Sequence, residues 1–116
     1  IRSLGRRSGA WEPHDTFSFG DITYAGDLRE LSGPGGSLLL SGREGRLLEV
    51  FLQNPNTVLR RMVILSRVWG ADAEVEEGNL DTYIHFLRKR LRQVKSLLYL
   101  KTIRGVGYSL EDSHVF

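Results

Sequence analysis

Hydrophobic residues recur at helical spacing in three segments between Ser41 and Val94. Ser41 followed by Glu44 forms a capping-box pattern, which predicts a first helix that starts there and ends at Asn54-Pro55. A second helix is expected from about Arg60 to Trp69, with Gly70 as its stop. In the third segment one narrow apolar stripe repeats at i, i+4, i+7, i+11 and i+14, and it consists of Leu80, Ile84, Leu87, Leu91 and Val94.

The chain on either side of these helices follows a strand pattern. From Thr16 to Leu40 the residues alternate and are interrupted by turn formers such as Gly26-Asp27 and Gly33-Pro34, which predicts short antiparallel strands. After the third helix, LLYLKTI and Tyr108-Ser109-Leu110 flank a turn that contains glycine. The predicted order is therefore a small sheet, three helices and a hairpin, an α+β chain.

Composition limits the chain to one ordinary soluble domain. Its 116 residues, 41% of them hydrophobic, suffice for a single core, and the absence of cysteine excludes disulfides and thiolate metal sites. No apolar run approaches the roughly 20 residues of a membrane span, and no signal segment opens the sequence. These features predict a cytoplasmic protein without membrane contact.

The charge is distributed unevenly, although the formal net charge is only +2. Residues 71–78 contain four acids and no base: Asp72, Glu74, Glu76 and Glu77. From Asn79 to Gly107 the sequence contains seven bases and a single acid, Asp81, which gives this segment a charge of +6. Such a segment suits a polyanion, most plausibly nucleic acid, although charged runs are usually solvated surface.

The face of the third helix opposite the apolar stripe has a composition that suits the major groove of DNA. It is centred on Lys89 and includes Thr82, His85, Gln93, Phe86 and Arg92, which can contact base edges or thymine methyl groups. Arg88, Arg90 and Lys95 lie nearer the stripe and are expected to reach flanking phosphates. The alternative is a solvated amphipathic helix, but seven bases with one acid lack the usual partners at i,i+4.

The predicted hairpin offers a second contact. Arg104 at its tip is placed to enter a minor groove or, alternatively, is solvated.

Five motifs together resemble the C-terminal winged-helix effector domain of the OmpR/PhoB family of bacterial response regulators. They are the helix start L-S-x-x-E, Asn54-Pro55, Val68-Trp69-Gly70, the segment NLDTYIHFLRKRL, and R-G-V-G-Y, and the match runs roughly from Phe17 to Leu110. The resemblance implies a winged helix-turn-helix with an N-terminal antiparallel sheet, three helices and a C-terminal β-hairpin wing.

The same resemblance implies sequence-specific binding of double-stranded DNA and control of transcription, with the helix at about 79–95 in the major groove and the wing, 101–110, at the minor groove. The segment 71–78 falls where relatives contact RNA polymerase, and the alternative is a solvated connector. Free monomers would bind head to tail on directly repeated half-sites. No cofactor, metal or enzymatic activity is implied. The expected DNA contacts, with Arg92 added from the face described above, are Thr82, Tyr83, His85, Phe86, Arg88, Lys89, Arg92, Thr102 and Arg104.

The opening IRSLGRR resembles the end of a receiver domain. We therefore expect residues 1–13 to be a linker and the end of a missing receiver, on which a cognate histidine kinase would act. Residues 14–112 would form the winged-helix domain and 113–116 a tail.

Several positions depart from the family pattern. His85 and Phe86 stand where many relatives carry arginine, which predicts a different target sequence. Gly45 replaces a common phenylalanine, which is expected to cost packing and helix propensity. Arg60 replaces a serine cap, so the start of the second helix is expected to fray. Met62 and Val63 are more apolar than usual at their positions.

Two other classes of function remain as alternatives. A winged helix can serve as a protein-interaction module, here through the acidic loop 71–78 or the surface of Met62 and Val63, and its affinity would then not depend on salt as DNA binding does. An enzyme is poorly supported, because His14, His85 and His114 lie in different elements and no metal-ligand or nucleotide-loop spacing occurs.

Overall fold

A computed structural model describes residues 16–70 and 77–112 of the chain, and it describes residues 77–79 by their backbone alone. The predicted linker 1–13 and tail 113–116 lie outside this part, as do Asp72, Glu74 and Glu76 of the acidic segment. The predicted domain start at residue 14 lies outside it as well.

The N-terminal strands form the antiparallel meander that the alternating pattern predicts. Each strand pairs with the next in sequence, so the four-stranded sheet has the order β1-β2-β3-β4. Alternate residues Ile22, Tyr24 and Leu31 face the core and are almost fully buried. The strands are β1 (Thr16–Phe19), β2 (Ile22–Ala25), β3 (Glu30–Gly33) and β4 (Gly36–Leu39).

Three helices follow, and the first two begin with different hydrogen bonds. The capping box is present in full: the Glu44 amide donates to Ser41 Oγ at 3.2 Å, and the Ser41 amide donates to Glu44 Oε1 at 2.9 Å. The second helix lacks a side-chain cap at Arg60, as expected. However, the amide of Arg61 donates to the carbonyl of Val106 at 3.1 Å, so the wing satisfies one of the N-terminal donors that have no partner within the helix. The helices are α1 (Gly42–Leu52), α2 (Arg61–Trp69) and α3 (Glu77–Gln93).

The third helix is displaced by two residues from the predicted 79–95. It begins at Glu77, so the predicted loop 71–78 is wrong at its C-terminal end, where Glu77 and Gly78 are helical. It ends at Gln93, and Lys95 adopts a positive φ of 58° in the turn that follows. The predicted start followed from the acidic run that ends at Gly78 and from the first stripe residue, Leu80. Glu77 is equally suited to a first helical turn, where an acid interacts favourably with the helix dipole.

The C-terminal hairpin is part of a three-stranded sheet. Strand β5 (Leu59–Arg60) precedes α2, and β6 (Leu98–Ile103) and β7 (Gly107–Asp112) form the wing, in the order β5-β7-β6. The strands extend beyond the predicted wing, 101–110. Two glycines shape it: Gly105 takes a φ of +77° in the turn, and a Cβ at Gly107 would overlap the carbonyl oxygen of Leu59.

The apolar stripe of α3 is the centre of the core. All five predicted positions, Leu80, Ile84, Leu87 and Leu91 of α3 and Val94 directly after it, are at most 2% exposed, which confirms the stripe. They pack with the inward residues of both sheets and of the other two helices. In α2, Ile64 and Val68 are buried, while Leu65 and Trp69 are partly buried against the core. Because one face of α3 is held in this way, the opposite face is held toward solvent.

Gly45 does not leave the packing defect that its sequence context suggested. It is buried in α1, and a Cβ there would overlap the hydroxyl oxygen of Tyr24, a residue only 1% exposed. The ring of Tyr24 thus occupies the space next to α1 that a side chain at residue 45 would need. Burial, and to a smaller extent the Glu49 carboxylate, raises the pKa of the Tyr24 hydroxyl to about 12.

The variant Gly45→Ala is expected to lower the free energy of unfolding by about 1–3 kcal/mol, because the added methyl group forces Tyr24 out of its position. Chemical denaturation followed by circular dichroism measures this change. Gly42→Ala is the matched control in the same helix, since the nearest atom to a Cβ there is 3.5 Å away, and it should be neutral or stabilising by up to about 1 kcal/mol.

Combining Gly45→Ala with Tyr24→Phe removes the overlapping oxygen and should recover part of the lost stability. An equal loss of stability for Gly45→Ala with tyrosine or phenylalanine at position 24 would contradict this account.

Candidate nucleic-acid interface

The outward face of α3 is the exposed surface that the sequence predicts. Thr82, His85, Lys89 and Arg92 are exposed, and so is Phe86 at 38% of its surface. Tyr83 lies at the edge of this face and is partly buried against the core. The helix therefore presents polar, basic and aromatic groups on one side.

Arg88 joins α3 to the wing. Its Nε and Nη2 atoms donate to the carbonyl oxygen of Leu100 at 3.2 and 2.8 Å, and Nη2 also donates to Thr102 Oγ1 at 2.8 Å. Two of the residues expected to contact DNA thus contact each other, and both elements gain a fixed relative position. Such charge-assisted hydrogen bonds are stronger than neutral ones.

Arg90 does not extend toward solvent as expected. Its Nε lies 3.6 Å from Glu44 Oε2, and its Nη1 donates to Gln93 Oε1 at 3.1 Å. Glu44 is only 4% exposed, and a buried carboxylate requires a positive partner. In the DNA-free structure Arg90 therefore pairs α3 with the start of α1, and the expectation that it reaches phosphate stays a prediction.

The single acid of the basic segment, Asp81, is paired within the domain. Arg61 Nη1 lies 2.9 Å from Asp81 Oδ1 and donates to Tyr108 Oη at 3.2 Å, and the Tyr108 hydroxyl donates to the same carboxylate oxygen. These hydrogen bonds hold the pKa of Asp81 below its usual range and raise that of Arg61. Burial, together with the bond to Asp81, raises the pKa of Tyr108. The cluster ties together α2, α3 and β7.

Aromatic rings connect the outward face of α3 to α2 and α1. The ring centroids of Trp69 and Tyr83 are 5.6 Å apart, and those of Tyr83 and Phe86 are also 5.6 Å apart, both pairs edge to face. The guanidinium of Arg43 lies 5.1 Å from the Trp69 centroid, and its Nη1 donates to the carbonyl oxygen of Val68.

The wing adds exposed basic groups at the other side of the interface. Lys101, Thr102 and Arg104 are exposed, and Arg104 lies at the tip, where the Val106 amide donates to the Ile103 carbonyl at 3.0 Å and closes the turn.

All nine residues expected to contact DNA lie on α3 or the wing. Thr82, His85, Phe86, Lys89, Arg92, Thr102 and Arg104 are exposed; Tyr83 and Arg88 are intermediate.

Sequence reasoning missed Arg61. It lies 20 residues before Asp81 and 47 before Tyr108, and no periodicity links such distant positions. The only available signal was the isolation of one acid among seven bases, which favours an internal partner.

Residues 16–70 and 77–112 contain no group of three or more histidine, cysteine or acidic residues placed to hold a metal ion. In the same part of the chain, no helix has the length and apolarity needed to cross a membrane.

Comparisons with known proteins assign this architecture to a family. Residues 35–110 match the family described as "Transcriptional regulatory protein, C terminal". The transcriptional regulatory protein DltR of Streptococcus agalactiae (serotype III, strain NEM316) is 38% identical over 93 residues, which cover 80% of this chain and 42% of DltR. The chain thus spans less than half the length of that relative.

Solved structures agree with this assignment. The DNA-binding domain of E. coli CadC has a TM-score of 0.76 at 28% identity, covering 89% of this chain and 95% of that one. The C-terminal domain of the lantibiotic response regulator NsrR has a TM-score of 0.70 at 29% identity, with coverages of 81% and 94%. The order of sheet, helices and wing, the exposed face of α3 and these matches lead to one conclusion: the chain belongs to the family of transcriptional regulatory protein C-terminal domains, the winged-helix effector domains of OmpR/PhoB-type response regulators.

Proposed function

We propose that this domain binds double-stranded DNA in a sequence-specific manner and so controls transcription, as the effector part of a two-component response regulator. In this proposal α3 enters the major groove and the wing contacts the adjacent minor groove. The observation that carries it is the exposed face of α3, with Lys89 and Arg92, next to a wing that ends in Arg104.

The electrostatics of the described residues support this proposal. Asp81 of α3 pairs with Arg61 of α2 at 2.9 Å, which offsets a negative charge that would otherwise oppose a phosphate approaching α3. Arg88 and Arg90 are engaged within the domain, which leaves Lys89, Arg92, Lys101 and Arg104 as the exposed cations of α3 and the wing. Four such groups along a helix and a hairpin suit phosphates on either side of a groove.

The remaining partners follow from the proposed role. A receiver domain that precedes this chain in the whole protein, and a histidine kinase that acts on it, would supply the signal. The acidic residues Asp72, Glu74, Glu76 and Glu77 would contact RNA polymerase, since an acidic segment beside a DNA-binding helix is repelled by phosphate and suits a basic protein surface. DNA as the target would place the protein in the cytoplasm.

Lys89→Ala and Arg88→Ala are expected to affect DNA binding by different routes. Lys89 is exposed at the centre of the face, so its loss should weaken specific binding by about 1–3 kcal/mol and leave the free energy of unfolding within about 0.5 kcal/mol of the parent. Arg88→Ala removes the hydrogen bonds to the wing and should also lower the free energy of unfolding by about 1–2 kcal/mol. Fluorescence anisotropy on a selected duplex and chemical denaturation measure the two quantities. Unchanged binding in Lys89→Ala at low salt would contradict the placement of α3.

The salt dependence of binding separates DNA recognition from the protein-interaction module that works through residues 71–78. Neutralised phosphates release counterions, so the logarithm of the affinity should fall linearly with the logarithm of the salt concentration. Lys101→Ala, which removes one exposed wing cation, should flatten this slope by about one unit. Absence of binding to any duplex selected from a random pool would favour the interaction module.

The domain is expected to bind as two copies in tandem on directly repeated half-sites, while it is mainly a monomer when free. One helix and one wing bury little surface, so a second copy about one helical turn away, roughly 10 to 11 base pairs, supplies the missing affinity. Gel-shift titrations on one and two half-sites, with the spacing varied by 5 base pairs, measure this cooperativity. Equal affinity at every spacing, or a preference for inverted repeats, would contradict the tandem arrangement.

A further inference from the structure

Phe86 is the unusual member of the outward face of α3. It is a large apolar side chain, 38% exposed, in the same helical turn as Lys89 and next to exposed His85, whose ring centroid lies 6.2 Å away. At 100° per residue, Phe86 lies about 60° from Lys89 around the helix, on the same side as Thr82 one turn earlier. A helix that places Lys89 in a groove therefore brings Phe86 to the same base edges.

The ring of Phe86 is held in place before any DNA arrives. Its centroid is 5.6 Å from that of Tyr83, at an angle of 86°, and Tyr83 in turn packs edge to face on Trp69. Tyr83 and Trp69 are partly buried against the core, so this support is anchored in the body of the domain. A side chain that is already ordered loses little conformational entropy on binding.

The chemistry of a phenyl ring restricts what it can recognise. It carries no hydrogen-bond donor or acceptor, whereas the major-groove edges of guanine, adenine and cytosine present polar groups in that position. Placed against such an edge, the ring would displace water without replacing its hydrogen bonds, which disfavours binding. The one apolar feature of the major groove is the C5 methyl group of thymine.

We propose that Phe86 determines specificity by contacting the C5 methyl group of a thymine in the target, with Tyr83 as the residue that positions its ring. This inference rests on the proposed binding of duplex DNA, and it goes beyond it by naming the base feature and the residue that recognises it. The exposed cations Lys89 and Arg92 on the same face hold the helix in the groove, and Phe86 then favours thymine at one step of the half-site.

The test replaces each thymine of a site selected from random duplex DNA, one at a time, by deoxyuridine. This change removes the methyl group and leaves every hydrogen-bonding group in place. At one thymine of each half-site the affinity of the parent chain should fall about threefold to fivefold, which corresponds to the loss of one buried methyl group. Phe86→Ala should bind the thymine site about tenfold more weakly than the parent and should bind the thymine and uracil duplexes equally.

Leu39→Ala is the matched control, because Leu39 is 70% exposed on β4, outside α3 and the wing, and it should keep the full thymine-to-uracil difference. Thymine and 5-methylcytosine both carry a C5 methyl group, so duplexes with cytosine and with 5-methylcytosine at the sensitive position are compared as well. A gain in affinity of about threefold on methylation assigns recognition to the methyl group on either base, and no gain assigns it to thymine alone.

Two results would overturn the inference while leaving DNA binding intact. One is equal affinity of the parent chain for thymine and uracil at every position. The other is a thymine-to-uracil difference that persists undiminished in Phe86→Ala. Failure of the proposed function itself has a different signature, since no duplex would then be selected from the random pool.

Discussion

Two arginine side chains fix α3 against the C-terminal sheet, and the rest of the interface depends on the position they set. Arg88 reaches from α3 to the Leu100 carbonyl and the Thr102 hydroxyl of β6, while Arg61 reaches from α2 to Asp81 at the start of α3 and to Tyr108 on β7. Helix α3 is thereby joined to β6 at Leu100 and Thr102 and to β7 at Tyr108. Each bond involves a charged group, and such bonds are the stronger class in proteins.

This use of arginine changes the distribution of charge over the surface. The segment 79–107 is strongly basic in sequence, yet Arg88 and Arg90 are used inside the domain, Arg90 against the buried Glu44. The outward charge of α3 is therefore concentrated at Lys89 and Arg92, with aromatic groups at Tyr83 and Phe86 beside them. A face of this kind combines phosphate contact with an apolar contact to bases, whereas a uniformly basic helix would supply the first alone.

Periodicity predicted much of the fold because it reports which side of an element is buried. The stripe of α3, the capping box of α1 and the N-terminal meander are each encoded within a few consecutive turns or residues. Strand β5 was missed because two residues are too short to show alternation, and its pairing with β7 depends on the close approach at Gly107. The role of Gly45 was likewise hidden, since the Tyr24 ring that fills its space comes from another element.

The candidate site was predictable as a surface but not as a set of contacts. Helical geometry placed Thr82, His85 and Lys89 on the exposed face correctly. It did not show that Arg90 turns toward Glu44, 46 positions earlier, or that Asp81 pairs with Arg61. The angular position of a residue around a helix fixes the side on which it lies. The partner of a long side chain depends on groups that only the tertiary structure brings near.

In the proposed complex α3 and the wing contact adjacent grooves of one duplex as a rigid unit. Because the chain contains no cysteine, Gln93→Cys on α3 and Val106→Cys on the wing each create a single attachment point for an iron chelate that cleaves nearby DNA strands. Mapping the cleavage on a selected half-site should give two patterns, a major-groove pattern from residue 93 and a minor-groove pattern from residue 106, displaced by about half a helical turn, roughly 5 base pairs. Coincident patterns, or cleavage from only one of the two positions, would contradict the account.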